Sequence, residues 1–212
     1  MKLYSHPRSG TNWALALIGQ AFYGIATVQP AQSGHWAQRV TVNARALELH
    51  GGHIFYRKPF PKGSLVYLYR DGRDVLASLW RTKAFQHPSR RNQTFAQFLR
   101  TKLDWYATPG RKSRKRLLPA VHWRRHLDTW ATAPGVYMLR YEELLLDTPG
   151  ELERLGAFLG LTPNLSALDV GDVGPFPSSD HRIAKWRDVF TDADLEFFTR
   201  NVSAEHWGLW NG

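Results

Sequence analysis

Lys2-Leu3-Tyr4-Ser5-His6-Pro7-Arg8-Ser9-Gly10-Thr11-Asn12-Trp13 is the stretch on which the reading of this chain turns. Residues 2–5 read as a short strand. A turn through Pro7 and Gly10 follows, and Trp13, Leu17 and Ile18 then recur at helical spacing to about Phe22. In a parallel sheet the loop at the carboxyl end of a strand is where ligands bind. The helix behind it offers unpaired N–H groups and the positive end of its dipole, a natural anion site. Gly10 lets the backbone come close to a ligand, Ser9 and Thr11 add hydroxyl donors, and Arg8 adds a forked cation. The pattern is not the Gly-x4-Gly-Lys-Ser/Thr loop of nucleoside triphosphatases, because the first Gly and the Lys are missing. Sites that use Mg²⁺ hold it with hydroxyl and carboxylate groups, whereas this loop is cationic and polar. A metal-free cradle for phosphate or sulfate is expected, with His6 contacting or orienting the ligand.

Outward from this loop the chain alternates strand-like and helix-like stretches, without internal repeats. Residues 53–56 form a candidate short strand, and 64–69 (Ser-Leu-Val-Tyr-Leu-Tyr) a strong one; 28–48 fits neither pattern. A helix over about 74–83 carries Val75, Leu76 and Leu79 on one face, and 94–106 and 117–132 are helical by pattern. Residues 136–139 read as a buried strand. Thr148-Pro149-Gly150-Glu151 reads as a capping box with Pro at the first helical position, opening a helix that ends near Gly160. Thr191-Asp-Ala-Asp194 opens a last helix in the same style. Residues 162–181, rich in Pro, Gly, Ser and Asp, form a long loop, and such loops are often functional. The alternation predicts an α/β fold with a mainly parallel sheet. A length of 212 residues predicts one domain over 1–212.

Composition bounds the chemistry. Lys plus Arg is 28 and Asp plus Glu 18, a formal charge of +10, so the preferred partners are anionic. At 43% hydrophobic and 13% aromatic, the chain can bury a core, which excludes a disordered basic tail. The absence of cysteine removes disulfides, thiolate catalysis and Cys-based zinc sites. No run reaches the roughly 18 apolar residues of a membrane span. With a strand starting at Lys2 there is no room for a secretory leader, so a cytoplasmic protein is expected and the sequons at Asn92, Asn164 and Asn201 are incidental.

The second motif lies at the end of the strong strand: Arg70-Asp71-Gly72-Arg73-Asp74-Val75-Leu76-Ala77-Ser78. Taken with the first loop, it resembles the sulfotransferase family that uses 3′-phosphoadenosine 5′-phosphosulfate. That family carries a Pro-Lys/Arg-Ser-Gly-Thr-x-Trp loop for the 5′-phosphosulfate and an Arg-(Asn/Asp)-x-(Arg/Lys)-Asp-x-x-x-Ser segment for the 3′-phosphate. Arg140-Tyr141-Glu142-Glu143 and Asp147-Thr148-Pro149 resemble its Tyr-Glu segment ahead of a Pro-initiated helix. Lys185-Trp186-Arg187-Asp188-Val189-Phe190-Thr191 is similar to its Gly-Asp-Trp-Lys-x-x-Phe-Thr stretch. The resemblance implies a three-layer sandwich around the sheet. It also implies donor contacts from Arg8, Ser9, Gly10, Thr11, Asn12 and Trp13, with Arg70 and Ser78 at the 3′-phosphate and Tyr141 against the adenine. Arg182 is the first choice for the basic residue closing over that phosphate and Lys185 the second, because the segment 181–185 lacks the family's Arg-Lys-Gly. Outside the resemblance, Arg70 and Arg73 read as helix-start charges that are solvated or paired with Asp71 and Asp74, and Tyr141 as a half-buried core residue.

Sulfuryl transfer, like phosphoryl transfer, needs in-line geometry and stabilised charge on the leaving oxygen. Arg8 and the N–H groups of residues 9–12 would meet that charge, and a His would take the acceptor's proton. In the family this His sits in a Lys-x-His segment at the end of the preceding strand. Here the corresponding stretch is Leu49-His50-Gly51-Gly52-His53-Ile54-Phe55-Tyr56, with Gly51 where the family has Lys. His53 is the best candidate; His50 and the Arg57-Lys58 pair are the alternatives. The implied donor is 3′-phosphoadenosine 5′-phosphosulfate, with adenosine 3′,5′-bisphosphate (PAP) as product and no metal. The acceptor is a small molecule or a glycan.

Arg111-Lys112-Ser113-Arg114-Lys115-Arg116, followed by Arg124-Arg125, reads as a solvated loop that also steers anions, an acidic acceptor among them. Trp36, Trp80 and Trp105 are candidates to line an acceptor pocket, although most of the nine Trp belong to the core. Two rival readings stand beside this one. A nucleotide or small-molecule kinase lacks its Lys and metal carboxylates here. A basic nucleic-acid-binding module has the charge but no recognised motif.

Overall fold

The computed structural model describes residues 1–24, 35–42, 45–53, 55–56, 64–83, 91–103, 116–168 and 183–202. These fall into two compact units. One comprises Met1–Arg70 with Thr129–His181, the other Asp71–Asp128 with Arg182–Gly212.

The first unit holds a five-stranded sheet in the order β2-β3-β1-β4-β5, formed by β1 (Lys2–Ser5), β2 (His35–Val42), β3 (Arg45–Gly52), β4 (Leu65–Tyr69) and β5 (Val136–Arg140). The pairs β3–β1, β1–β4 and β4–β5 are parallel, and only the edge pair β2–β3 is antiparallel. The mainly parallel sheet is as expected. Of the candidate short strand 53–56, the described residues His53, Phe55 and Tyr56 are not in a strand: β3 pairs with β1 through His50–Gly52 and stops there.

Period-2 alternation sorts this sheet's side chains onto two faces. Leu3, Val66, Leu68 and Leu139 meet one face of α1 (Thr11–Tyr23), α5 (Tyr141–Leu146) and α6 (Thr148–Leu159), burying Leu15, Ile18, Leu144, Leu152 and Leu155 with them. The alternate residues Tyr4 and Tyr67 stack on Trp130, with centroids 4.8 and 5.3 Å apart. Trp130 belongs to the carboxyl end of α4 (Pro119–Ala131), so within this unit the sheet is covered on both faces.

α6 departs from the expected cap. Asp147 is its N-cap, accepting the Gly150 N–H through Oδ1 at 3.1 Å, while the Thr148 hydroxyl donates to the Leu144 carbonyl at 2.6 Å. With the cap at Asp147 the N3 residue is Gly150, so Glu151 falls one position past the capping box, and its buried carboxylate accepts instead from the Tyr137 hydroxyl and from Arg154, both at 2.7 Å. The helix does end at Gly160, in the left-handed conformation.

The second unit contains α2 (Gly72–Thr82), α3 (Phe95–Arg100), α7 (Asp192–Asn201) and a 3-10 turn, Lys185–Asp188. α3 is shorter than the pattern over 94–106 predicts. Thr101 turns extended, its hydroxyl donating to the Gln97 carbonyl, and Leu103 then pairs with Leu117 across an antiparallel bridge. α7 opens as expected on a Thr191/Asp194 capping box. No helix among the described residues is long and apolar enough to cross a membrane.

Candidate active site

The loop between β1 and α1 has alternating backbone handedness. Arg8 (φ 70°) and Gly10 (φ 91°) are left-handed, and Pro7, Ser9 and Thr11 are not. Such alternation is the backbone pattern of an anion nest, although the Ser9 N–H within it is given to the His6 carbonyl at 3.3 Å. No side chain caps α1 and no carboxylate stands in its first turn, so its orphan N–H groups and dipole also face that place. The Ser9 hydroxyl is buried and makes no hydrogen bond among the described residues. Leaving a buried hydroxyl unsatisfied costs about 1–3 kcal/mol, and an anionic oxygen bound in the loop would satisfy it. Arg8 and Asn12 are exposed, whereas His6, Pro7 and Thr11 are buried.

Gly10 is required by more than its φ. A Cβ added there would penetrate the ring of Tyr141 at Cδ2 and Cε2. Tyr141, the first residue of α5, is only 4% exposed. The Arg70 guanidinium lies 4.4 Å from its ring centroid, and Trp13 meets it edge-on at 5.4 Å. Thus Gly10, Trp13, Arg70 and Tyr141, assigned from three separate motifs, pack together in the first unit. The neighbouring Arg140 is turned inward to Glu142 and Glu143.

His53 sits just past the carboxyl end of β3, beside the loop. Its Nδ1 is 2.9 Å from the Ser5 carbonyl oxygen and 3.2 Å from Ser5 Oγ, and Ser5 Oγ is 2.6 Å from Thr11 Oγ1. A carbonyl only accepts, so Nδ1 carries the proton and Nε2 the basic lone pair. His6 is arranged likewise, with Nδ1 2.9 Å from the Pro7 carbonyl. Burial, helped by the nearby charge of His53 and opposed by the Pro7 bond, pushes His6 down to about 3, so it stays neutral. His50 lies inside β3, paired in register with Lys2, and Arg57-Lys58 lie outside the described residues.

In the second unit Arg73 forks onto Asp71 at 2.6–3.1 Å and covers the Trp186 ring at 4.2 Å, a structural pairing. Asp74 instead accepts the backbone N–H groups of Ala184 (3.1 Å) and Trp186 (2.9 Å). Ser78 lies on α2, and Lys185 begins the 3-10 turn that Asp74 holds. Arg182, Trp105 and residues 111–115 lie outside the described residues. Trp80 packs edge-on against Phe95 and donates its indole N–H to Gln93.

Two contributors went unread in the sequence. The sequence reads Ser5 as the end of a strand and the start of the loop motif, with no partner for its hydroxyl; its place at a carboxyl edge is the usable signal. Asp74 stood in the second motif as a helix-start charge, and no local signal reveals a partner 112 residues away.

A family model described as a sulfotransferase domain matches residues 2–170, and the chain belongs to the sulfotransferase family. It is similar to sulfotransferase 2A6 of Rattus norvegicus, 25% identical over 197 residues, covering 79% of this chain and 62% of the relative. Sulfotransferase 2A1 of the same organism is 25% identical over 199 residues, with the same coverage. The chain therefore spans under two thirds of the length of these relatives. Among solved structures, mouse sulfotransferase SULT7A1 complexed with PAP superimposes with a TM-score of 0.64 at 20% identity, covering 96% of this chain and 83% of that one. Retinol dehydratase in complex with androsterone and PAP gives 0.57 at 15% identity, covering 95% and 78%. The fold is that of the sulfotransferases.

Proposed function

We propose that this chain transfers the sulfuryl group of 3′-phosphoadenosine 5′-phosphosulfate to a hydroxyl or amine of a small-molecule or glycan acceptor. The observation that carries the reading is the loop itself, with left-handed Arg8 and Gly10 ahead of an uncapped helix start and a buried Ser9 hydroxyl that makes no hydrogen bond among the described residues. Family membership supports it. The donor set is hydroxyl, N–H and guanidinium, which suits a sulfate or phosphate oxygen. No cluster of metal-ligating side chains occurs among the described residues.

In this reading Ser9, Gly10, Thr11, Asn12 and Trp13 hold the phosphosulfate, and Arg8 meets charge on the leaving oxygen. The sulfur–oxygen bond to the 5′-phosphate breaks as a bond to the acceptor oxygen or nitrogen forms. His53 Nε2 takes the acceptor's proton, and charge on the departing phosphate is met by the loop N–H groups. Preorganised donors of this type contribute about 2.7–4 kcal/mol each in well-studied hydrolases. Arg70 is the 3′-phosphate ligand from this unit. Calorimetry with PAP tests the donor half: tight binding without Mg²⁺, lost in Arg8→Ala and Arg70→Ala, is expected. Binding no tighter than AMP would sink the reading. Transfer of labelled sulfate to a panel of phenols, glycans and amines identifies the acceptor class.

A further inference from the structure

We infer that Ser5 is a positioning residue: its hydroxyl couples occupancy of the anion loop to the proton affinity of His53. The inference rests on the proposed donor site and base. Ser5 Oγ is fully buried between two partners, His53 Nδ1 and Thr11 Oγ1. The Ser5 carbonyl fixes the proton on Nδ1, so Ser5 Oγ accepts from His53. Were it also to accept from Thr11, its own proton would be buried without an acceptor, a costly arrangement. Ser5 therefore donates to Thr11 Oγ1. The Thr11 proton then points onward, and Thr11 opens the uncapped helix at the anion concavity.

The result is a directional chain: the single His53 Nδ1–H, given to the Ser5 carbonyl at 2.9 Å and shared with the Ser5 hydroxyl at 3.2 Å, then the Ser5 hydroxyl to the Thr11 hydroxyl, then Thr11 to the bound anion. Hydrogen bonds in such a chain polarise one another. An anion at its far end strengthens every donor behind it, and an imidazolium is a better Nδ1–H donor than a neutral ring. Proton affinity at Nε2 thus rises when the donor molecule is bound, and the base gains strength in the loaded site. His6 on the loop is a titratable group that faces His53, and burial keeps it neutral. No carboxylate enters from the first turn of α1.

The test is an NMR pH titration of the His53 ring, assigned by its loss in His53→Gln, with and without saturating PAP. PAP is expected to raise the wild-type His53 pKa, because an anion at the end of the chain favours the imidazolium. In Ser5→Ala, with PAP still bound, that rise should fall by more than half, and Ser5→Thr should restore it. Thr11→Val interrupts the chain at its other end and should give the same loss, which keeps the test decisive if Ser5→Ala does not fold. Equal rises in wild type and in the interrupted variants overturn the coupling while leaving the donor reading intact. A wild-type protein that binds no PAP overturns the donor reading, and the coupling with it.

Discussion

The guanidinium of Arg70 rests 4.4 Å from the ring centroid of Tyr141, and the same ring abuts Gly10. One aromatic side chain therefore braces both the cation that follows β4 and the turn that precedes α1. A cation over an aromatic face is worth about 0.5–2 kcal/mol. Replacing Tyr141 with Leu should weaken PAP binding by roughly 2- to 30-fold through lost placement of Arg70. Tyr141→Phe, which retains the ring, should bind within about twofold of wild type, at or below the lower edge of that range. Calorimetry on both variants checks this, and equal losses would show that the ring face does not hold Arg70.

Gly10→Ala meets two obstacles, a left-handed φ of 91° and the Tyr141 ring where the new methyl must go. The backbone term alone is about 1–2 kcal/mol, and the steric conflict adds to it. Urea unfolding should show a lower midpoint, and PAP affinity should fall more than tenfold, since the ring and the loop cannot both keep their places. Retention of full affinity would mean that the turn is not part of the anion site.

The strand–loop–helix at the amino end was legible because hydrophobic period and turn chemistry change together within residues 2–13. The β2–β3 hairpin was not. β3 contains Ala46, Leu47, Glu48 and Leu49, residues of good helix propensity, and it is a strand because it pairs with β1 and β2. The site was readable motif by motif but not as contacts. Ser5 meets His53 across 48 positions, and Asp74 meets Trp186 across 112. Such pairings are set by how the elements pack, which leaves no periodic trace. The motif residues Arg70 and Arg73 look alike in the sequence. One lies over Tyr141 and the other is committed to Asp71 and Trp186.

Asp74 fixes a strained position in the second unit. It accepts the N–H of Ala184, a non-glycine residue at φ 62°, and that of Trp186. Asp74→Ala leaves both buried or half-buried donors without their carboxylate. Hydrogen bonds to a charged group contribute about 1.5–3 kcal/mol, so unfolding free energy should drop by at least that much. Ala184→Gly relieves left-handed strain of about 1–2 kcal/mol, partly offset by the freedom glycine has when unfolded. Its melting temperature should equal or exceed wild type, whereas Ala184→Val should melt lower. A destabilised Ala184→Gly would show that the methyl's packing outweighs the strain.

His6 makes stability depend on pH with a definite sign. Its pKa is held at about 3 in the folded protein, against an ordinary value of 6.5, chiefly by burial. Between those values the unfolded chain binds a proton at this position and the folded chain does not. The contribution is therefore complete above pH 6.5 and is lost progressively as pH falls toward 3. For one group the slope is at most about 1.4 kcal/mol per pH unit. Urea unfolding at pH 7, 6 and 5 should show wild type losing stability faster than His6→Gln, by close to one proton's worth of slope. Because the other histidines are common to both proteins, the difference isolates His6. Parallel curves would mean that His6 accepts a proton inside the fold, and the neutral imidazole beside His53 would have to be abandoned.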